Sequence, residues 1–445
     1  MQKLTQGSIL RHLVALSAPI AVGMIFQNLY YLVDLYFVAP LGDAAVAGLS
    51  AAGNVQFLVI FLTQTLSVGS VVLIAHAYGR DETGDANLIF NQSLALALAC
   101  AALTWIIGYG YSSHYMGLLA SDSLTRDSGA AYLYGFLPGL GLQFALVAMA
   151  AGLRGSGETR PAMLAQMTTV LINILLAPVL ISGWLTGHPL GTAGAGLASS
   201  IAIACGVLFL FIYFIRSQQQ LRFNPALFAP RISLWLRMLR IGLPAGGEFA
   251  LMFIYVGVVY WLISDFGRDA QAGFGIGFRV MQLLFLPAVA IAFGAAPLAA
   301  QNFSAGHAHR FRQTQWQAGQ LSVSLMLLLS LICLWRAEWF IRVFSADPQV
   351  IAVGAEYLRY VALVFVVQGI NFIISAMFQA LGHTLPALLS SASRLLTFVL
   401  PAVVLAHYTD YTLAQIWLIY ISAMVIQAVV GGLLLRQALR ERLTA

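Results

Sequence analysis

Two acidic residues lie well inside long apolar stretches of the sequence, and they are the residues best placed to do chemistry. Asp34 interrupts LYYLVDLYFV (residues 29–38), and Glu248 lies in a second such stretch. A central aspartate costs roughly 2.5–3.5 kcal/mol to insert into a bilayer, so intramembrane acids tend to face an interior or a water-filled cavity. Burial disfavours the charged form of a carboxyl group, so such an acid can exchange protons as access to it changes. The alternative is that Asp34 serves a structural hydrogen-bond network.

The surroundings of the two acids differ. Gln27, Tyr30 and Tyr31 lie within two helical turns of Asp34 on overlapping faces and can support it. Glu248 is flanked by GG and FALMF, which offer fewer polar partners. We therefore predict coupling-ion binding at Asp34 first and at Glu248 second.

The amino-acid composition indicates that the chain is a membrane protein. Hydrophobic residues make up 60% of the 445 residues and charged residues only 9%, whereas soluble proteins carry roughly 25% charged residues. Most of the surface must therefore face lipid. The only lysine is Lys3, so the chain has no nucleotide-binding G-x-x-x-x-G-K-[ST] loop, and it also lacks an H-E-x-x-H zinc motif. No enzyme, metal site or cofactor is expected.

Twelve segments are apolar enough and long enough to span a bilayer as helices, for which ~20 residues are needed. We predict an all-α membrane protein with spans near residues 13–38, 46–74, 88–110, 130–152, 162–184, 191–215, 235–263, 272–300, 314–336, 352–378, 385–407 and 412–436.

The basic residues predict an orientation for these spans. Most of the 22 Lys and Arg residues fall on one side of the membrane if the spans alternate. By the positive-inside rule that side is cytoplasmic and holds both termini, in a bacterial inner membrane. The net charge of +6 then faces the inner leaflet, and no nucleic-acid partner is needed to explain it.

The chain also repeats itself at an offset of about 225 residues. SAPIAVG (17–23) aligns with GLPAGGE (242–248), which pairs Pro19 with Pro244, and GDAAVAG (42–48) aligns with GRDAQAG (267–273). The offset holds through loops as well as spans. Six spans per half make the repeats parallel, related by a pseudo-two-fold axis along the membrane normal, as in many secondary transporters.

The repeat predicts two lobes, an N-lobe at residues 1–215 and a C-lobe at 234–445, joined by a cytoplasmic linker at 216–233. Pro19 and Pro244 lie early in the first helix of each lobe and remove a backbone hydrogen bond there. They can be fixed kinks, or points at which the helices bend while the lobes rock.

Several motifs resemble the multidrug and toxic compound extrusion (MATE) family. VDLYFVAPLGDAAVAGLS (33–50) resembles its first-helix and loop motif, GLRGSGETRPAM (152–163) and INILLAPVLI (172–181) its fourth-to-fifth and fifth-helix motifs, and GTAGAGLASS (191–200) its sixth-helix entry. The resemblance implies a V-shaped, two-lobed antiporter that exports organic cations and other amphipathic drugs against a proton or sodium gradient.

The resemblance also implies an N-lobe ion site at Asp34. The family's helix-five asparagine matches Asn173, but its helix-five aspartate is replaced by Ala177 and its helix-six threonine by Ser199. A hard cation such as sodium is expected to need several oxygen ligands, whereas a proton needs one carboxylate. We therefore favour proton coupling, with sodium coupling as the alternative.

In the C-lobe, the resemblance implies a helix-seven glutamate and a helix-ten acid. Glu248 stands one helical turn early relative to the commonest pattern, and helix ten offers Gln368 and Asn371 but no acid. A sodium site would again be short of charge.

The substrate surface is predicted from aromatic and methionine side chains, which attract cations and adapt to varied shapes. In membrane helices the same residue types often serve packing or face lipid. Besides Tyr30 and Tyr31, the candidates are Phe26, Met252, Phe253, Tyr255, Met281 and Gln282.

A lipid-linked oligosaccharide flippase is the alternative function, and it would need basic residues that converge on a cavity. Only Arg279, Arg359 and Arg394 lie well inside spans, and Arg359 could instead pair with Glu356 by helix spacing. The expected partners are small-molecule drugs and membrane lipids, and the chain is expected to be a monomer.

Overall fold

The computed structural model describes residues 4–119, 122–217, 221–407 and 411–443, apart from the side chains of residues 30–32, 34 and 35. All regular structure in these ranges is helical. Segments this long and apolar form helices in lipid because each backbone N–H and C=O group must be paired within the segment. The α-helices are α1 (Ile9–Val38), α2 (Asp43–Gly79), α3 (Thr83–Leu119), α4 (Ser123–Ser156), α5 (Arg160–Ile181), α6 (Gly191–Arg216), α7 (Ile232–Ile263), α8 (Arg268–Ser304), α9 (Ala308–Arg342), α10 (Pro348–Ala362), α11 (Phe365–Ala380), α12 (Leu385–Ala406) and α13 (Leu413–Leu443).

Eleven of the described helices are long and apolar enough to cross a membrane, and the number is twelve if α10 and α11 form one span. These two helices are bent by 58° at a short break. The predicted tenth span near residues 352–378 thus has the right position, and the structure adds a bend between two helices that the sequence did not indicate.

The helix bounds repeat with the offset seen in the sequence. Adding 225 to the bounds of α2 and α5 gives the bounds of α8 and α12, and the short 3-10 turn Ala39–Leu41 after α1 recurs as Ser264–Phe266 after α7. The two halves therefore share one helical framework.

The repeat breaks down in one place, where the N-terminal half has an unbroken α4 and the other half has α10 and α11. Proline at position 138 removes a hydrogen bond inside α4, but the Ser200 hydroxyl bridges the gap by accepting from the Gly139 N–H (2.9 Å) and donating to the Gly135 carbonyl (2.7 Å). At the break in the other half, the Ser330 hydroxyl instead donates to the carbonyl of Ala362 at 2.6 Å. A side chain thus stabilises each interruption of the backbone ladder.

The chain packs into two compact units, and the division between them runs through α1 and α7. One unit takes Val22–Gly242, and the other takes residues 4–21 together with the chain from Leu243 onward. Both crossing points lie within three residues of an in-helix proline, Pro19 or Pro244. The assignment of whole spans to lobes by chain order, with 216–233 as a linker, stays a prediction.

Within the first unit, the segment 221–231 that precedes α7 is tied along α3. Asn91 and Gln92 are fully buried, and their amide groups, with that of Asn87, bind backbone groups of the segment. The backbone partners, at 2.6–2.9 Å, are those of Arg222, Asn224, Leu227, Ala229 and Arg231.

The second unit ties down the segment before α1 in a similar way. The guanidinium group of Arg310 donates to the carbonyls of Leu4 (3.2 Å) and Gly7 (3.0 Å). The side chain of Asn302 also donates to Leu4, at 3.3 Å, and accepts from Arg310 Nε at 2.9 Å. In each unit, side chains of that same unit therefore hold the segment that precedes α7 or α1.

Candidate functional site

The second unit holds Glu248 inside a cluster of polar side chains. The Glu248 carboxylate is partly buried near the middle of α7. The Ser375 hydroxyl on α11 lies 2.9 Å and 3.0 Å from its two oxygens, so its single proton is shared between them, and the Ser391 hydroxyl on α12 lies at 3.4 Å. Hydroxyl groups can donate to an ionised carboxylate or accept from a protonated one. The cluster can therefore hold Glu248 in either protonation state.

A glutamine on α13 extends this cluster. Gln427 is buried and its Nε2 donates to Ser391 Oγ at 3.2 Å, while its backbone carbonyl accepts from the Ser390 hydroxyl at 3.0 Å. Its side-chain oxygen has no partner in the described part of the chain. Such an orphaned acceptor is uncommon in a protein interior, and it marks a place where a donor or a cation can bind.

Helices α7 and α12 approach closely because of a glycine and then keep a regular register. A Cβ atom at Gly247 would lie 3.0 Å from the Leu388 side chain. Glu248 meets Ser391, and seven residues further along both helices Tyr255 meets Phe398, with ring centroids 4.8 Å apart. This register places the polar cluster about two helical turns, roughly 10 Å, from an aromatic layer.

Some of the predicted substrate residues lie in or near that aromatic layer, where they pack against other side chains. Tyr255 is 3% exposed and also contacts Tyr420, with centroids 5.2 Å apart. Met281 is buried, and its sulfur accepts from the hydroxyl of Tyr357 at 3.2 Å. These contacts show that Tyr255 and Met281 contribute to packing within the unit.

The other predicted substrate residues have more varied surroundings. Met252 and Phe253 on α7 and Phe26 on α1 are partly buried, and Gln282 on α8 is exposed. Their role in binding stays a prediction.

The helix-ten positions highlighted by the sequence do not supply partners for Glu248. Gln368 and Asn371 are buried on α11, and within the described residues Gln368 Oε1 and Asn371 Nδ2 have no hydrogen-bond partner. Ser375, one turn beyond Asn371, makes the contact instead. Ser375 and Gln427 were missed by sequence reasoning, although each replaces an alanine of the first repeat, at positions 150 and 202.

In the first unit, the structure brings together two of the predicted N-lobe residues. Asn173 on α5 and Ser199 on α6 are fully buried, with Asn173 Nδ2 3.4 Å from Ser199 Oγ, and Ala177 is buried one turn from Asn173. This places the family-derived positions on one shared helix interface.

The predicted N-lobe site also includes an acid and two tyrosines on α1. Asp34, Tyr30 and Tyr31 belong to α1, but their side chains lie outside the described residues. Gln27 is exposed on the same helix. The predicted Asp34 site therefore stays a prediction.

The three in-span arginines have separate surroundings. Arg359 on α10 forms an ion pair with Glu338 of α9 at 3.0 Å, so the prediction that it pairs with Glu356 is wrong, since the neighbouring helix offers a better placed carboxylate. Arg279 on α8 is exposed, and Arg394 on α12 is partly buried.

The part of the chain that the structure describes contains no group of three or more His, Cys, Asp or Glu residues able to hold a metal ion. The carboxylate and hydroxyl groups of the Glu248 cluster can exchange a proton and bind small ligands by hydrogen bonds and charge.

Two repeats of membrane-length helices, with polar groups inside an otherwise apolar unit, define a multi-pass membrane transporter. The family model MatE matches residues 19–179 and again residues 244–404. The chain therefore belongs to the MATE family, whose members are transporters and not enzymes. The two matches are offset by 225 residues, which confirms the internal repeat and the all-α, two-lobed fold class.

Bacterial relatives match over nearly the whole chain. The multidrug export protein MepA of Staphylococcus haemolyticus is 24% identical over 99% of this chain and 96% of its own length. The probable multidrug resistance protein YoeA of Bacillus subtilis is 24% identical over 96% of this chain and 93% of its own. These matches support a multi-pass bacterial membrane protein.

Solved structures show the same fold. A crystal structure of MATE in complex with MaL6 has a TM-score of 0.92 and 22% identity, covering 100% of this chain and 99% of that one. A multidrug resistance MATE family transporter in an outward-facing conformation has a TM-score of 0.90 and 23% identity, covering 99% and 98%. At these identities the likeness concerns the fold alone.

Proposed function

We propose that this protein is a multidrug efflux antiporter that exports amphipathic organic cations in exchange for protons. The observation that carries the proposal is the Glu248 carboxylate in the middle of an apolar helix, held by hydroxyl groups from α11 and α12. The named multidrug export relatives support the substrate class.

Proton exchange at Glu248 would change the charge available to a cationic drug. The ionised carboxylate attracts the drug, and protonation removes that attraction and releases it. Proton and drug then exclude each other, and by linkage each weakens the binding of the other by the same factor. Asp34 is proposed to play the same part in the N-lobe.

The direction of export follows from a proposed orientation with both termini in the cytoplasm of the inner membrane. Protons would enter from the outside and drive the drug outward while the two lobes rock around α1 and α7. Most Lys and Arg residues fall on the cytoplasmic side in this orientation, which supports it through the positive-inside rule.

Sodium coupling is the second candidate, and one observation favours it. Gln427 Oε1 is buried and has no hydrogen-bond partner among the described residues. The same side-chain amide donates a hydrogen bond to Ser391 through its nitrogen. Together with the Glu248 and serine oxygens, Gln427 Oε1 would give a cation several oxygen ligands, as hard cations require. The proton remains preferred because one carboxylate carries the only negative charge among these groups.

The lipid-linked sugar flippase receives less support. A pyrophosphate site would use several converging arginines, but Arg359 is occupied by Glu338 and Arg279 is exposed on another helix. Arg394 alone lies near the Glu248 cluster.

The test is ethidium transport by inverted membrane vesicles under an imposed gradient. A proton gradient at constant sodium should drive ethidium uptake, and a sodium gradient at constant pH should not. Transport driven by the sodium gradient alone would identify sodium, and not the proton, as the coupling ion. The absence of transport under either gradient would refute the proposed function.

A further inference from the structure

The guanidinium group of Arg394 faces the interior of its unit but has few partners there. Arg394 shares a face of α12 with Ala387, Ser391, Phe398 and Ala402, all of them buried. The opposite face carries the exposed apolar side chains Leu389, Leu396, Leu400 and Val404. The arginine is therefore not a lipid-facing residue that reaches for the membrane surface.

Within the described part of the chain, the contacts of this guanidinium leave most of its hydrogen-bond donors unused. It lies over the ring of Tyr255, 5.9 Å from the centroid, and its Nη1 is 3.6 Å from the sulfur of Met424 on α13. Among the described residues, no carboxylate lies within 4.0 Å of it to form an ion pair. A guanidinium has five N–H donors arranged to hold a carboxylate through two hydrogen bonds. Arg394 is therefore a partly buried cation to which an anionic group could still bind.

Glu248 is an acid that interacts electrostatically with Arg394. Glu248 contacts Ser391, and Arg394 lies three residues further along α12, a rise of roughly 4.5 Å. Further polar groups near this region are Ser375 and Gln379 on α11, and Gln427 and the Tyr420 hydroxyl on α13. The region thus presents one negative and one positive charge side by side.

We propose that Arg394 is a specificity-determining residue that binds an anionic group, a carboxylate or sulfonate, on an amphipathic aromatic substrate. This inference rests on the proposed export function and narrows its substrate class. Glu248 attracts the cationic part of the substrate and Arg394 binds the anionic part, while the Tyr255 ring, packed against Phe398 and Tyr420, supports the guanidinium. A purely cationic substrate gains nothing from Arg394 and is repelled by it.

The test compares two fluorescent dyes that differ in one group. Rhodamine 110 carries a free carboxylate, and rhodamine 123 is its methyl ester. Binding of each dye to purified protein is measured by fluorescence polarisation for the wild type, Arg394→Gln and Arg394→Lys. Arg359→Gln is the matched control, because it removes another in-span arginine whose charge is already paired.

Arg394→Gln should weaken rhodamine 110 binding about tenfold, since hydrogen bonds to charged groups are among the stronger ones. Its affinity for rhodamine 123 should stay the same or rise. Arg394→Lys keeps the charge but not the planar fork, so it should lose rhodamine 110 affinity by a smaller factor, and it carries the test if the Gln variant does not fold. Arg359→Gln should change neither dye.

Equal losses for both dyes, or none for rhodamine 110, would overturn the inference. Wild-type protein that binds rhodamine 123 but not rhodamine 110 would also overturn it while leaving the proposed function intact. Wild-type protein that binds neither dye and transports no ethidium would refute the proposed function itself.

Discussion

The two repeats place their polar groups at different levels of equivalent helices. In the second repeat the cluster is centred on Glu248 and Ser391, whose counterparts in the first repeat are Gly23 and Gln166. In the first repeat the buried polar pair is Asn173 with Ser199, whose counterparts in the second are Phe398 and Met424.

The acids show the same displacement. Asp34 corresponds to Val259, which lies eleven residues after Glu248, roughly 16 Å along a helix at ~1.5 Å per residue. Duplication has therefore preserved the helical framework and not the position of the chemistry. The two lobes are expected to contribute unequally to transport, and the following variants test that inequality.

Asp34→Asn should produce the largest effect, a loss of ethidium export of at least about tenfold, because it removes the one acid assigned to the predicted N-lobe ion site. Efflux from cells is the measurement, with membrane insertion checked separately. Asp43→Asn, which alters an exposed acid in the first turn of α2, should export at nearly the wild-type rate. Wild-type export by Asp34→Asn would show that Asp34 is structural.

Glu248→Gln should reduce export several-fold and flatten its dependence on pH, because an amide cannot exchange a proton. Initial rates of uptake into vesicles between pH 5 and 8 measure this. Glu338→Gln removes a half-exposed carboxylate that pairs with Arg342 and Arg359. Such exposed ion pairs contribute little to stability, so this variant serves as the control. If Glu248→Gln kept the wild-type pH profile, the cluster would be a packing feature.

Ser375→Ala should move the midpoint of proton competition with a bound cationic dye upward by about one pH unit. The Ser375 hydroxyl stabilises the ionised carboxylate, and a hydrogen bond to a charged group is worth ~1.5–3 kcal/mol, where 1.36 kcal/mol corresponds to about one unit. Without that donor, Glu248 keeps its proton to higher pH. Ser393→Ala, whose hydroxyl bonds only to a carbonyl of its own helix, should leave the midpoint unchanged.

The smallest effect is expected at two aspartates that occupy equivalent positions in the repeats. Asp122 accepts from the Thr125 N–H at 2.8 Å and caps α4, and Asp347 accepts from the Gln349 N–H at 2.8 Å and caps α10. Either alanine variant should lower the Tm by a few degrees, since both caps pair otherwise unsatisfied N–H groups.

The Asp122 cap also has a pH dependence with a definite sign. Hydrogen bonds from the Thr125 backbone N–H and hydroxyl lower the pKa of Asp122, so its contribution is full above the unfolded-state pKa of roughly 3.9 and is lost as pH falls through the lower folded-state value. The Tm difference between wild type and Asp122→Ala should shrink between pH 5 and pH 3. A difference that grew over this range would contradict the capping role.

The helical framework was predictable from the sequence because its two strongest signals can be read from the chain alone. These signals are the length of each apolar segment and the 225-residue offset between the repeats. The sequence could not predict the break between α10 and α11. Proline at position 138 suggests an interruption in α4, yet the Ser200 side chain keeps that helix continuous, while the break occurs in the repeat that has no proline there. Such outcomes depend on neighbouring helices.

The same limit applies to the candidate site. Glu248 was recognisable as an unusual acid, but its partners Ser375 and Ser391 come from helices far along the chain, and serine in a membrane helix is a weak signal by itself. Arg359 likewise forms its ion pair with Glu338 on the neighbouring helix α9, and not with Glu356 on its own helix, because Glu338 is better placed.

The exchange of segments between the two units has a consequence for biosynthesis. Residues 4–21 are synthesised well before the rest of their unit, since Leu4 bonds to Asn302, 298 residues later. At ~5–20 residues per second, the start of α1 waits about 15–60 s before its packing partners exist, whereas the first unit is complete once Gly242 has been made. Two separately produced halves cut before α7 would each carry a segment that belongs to the other, so neither half contains all the residues of its own packed unit.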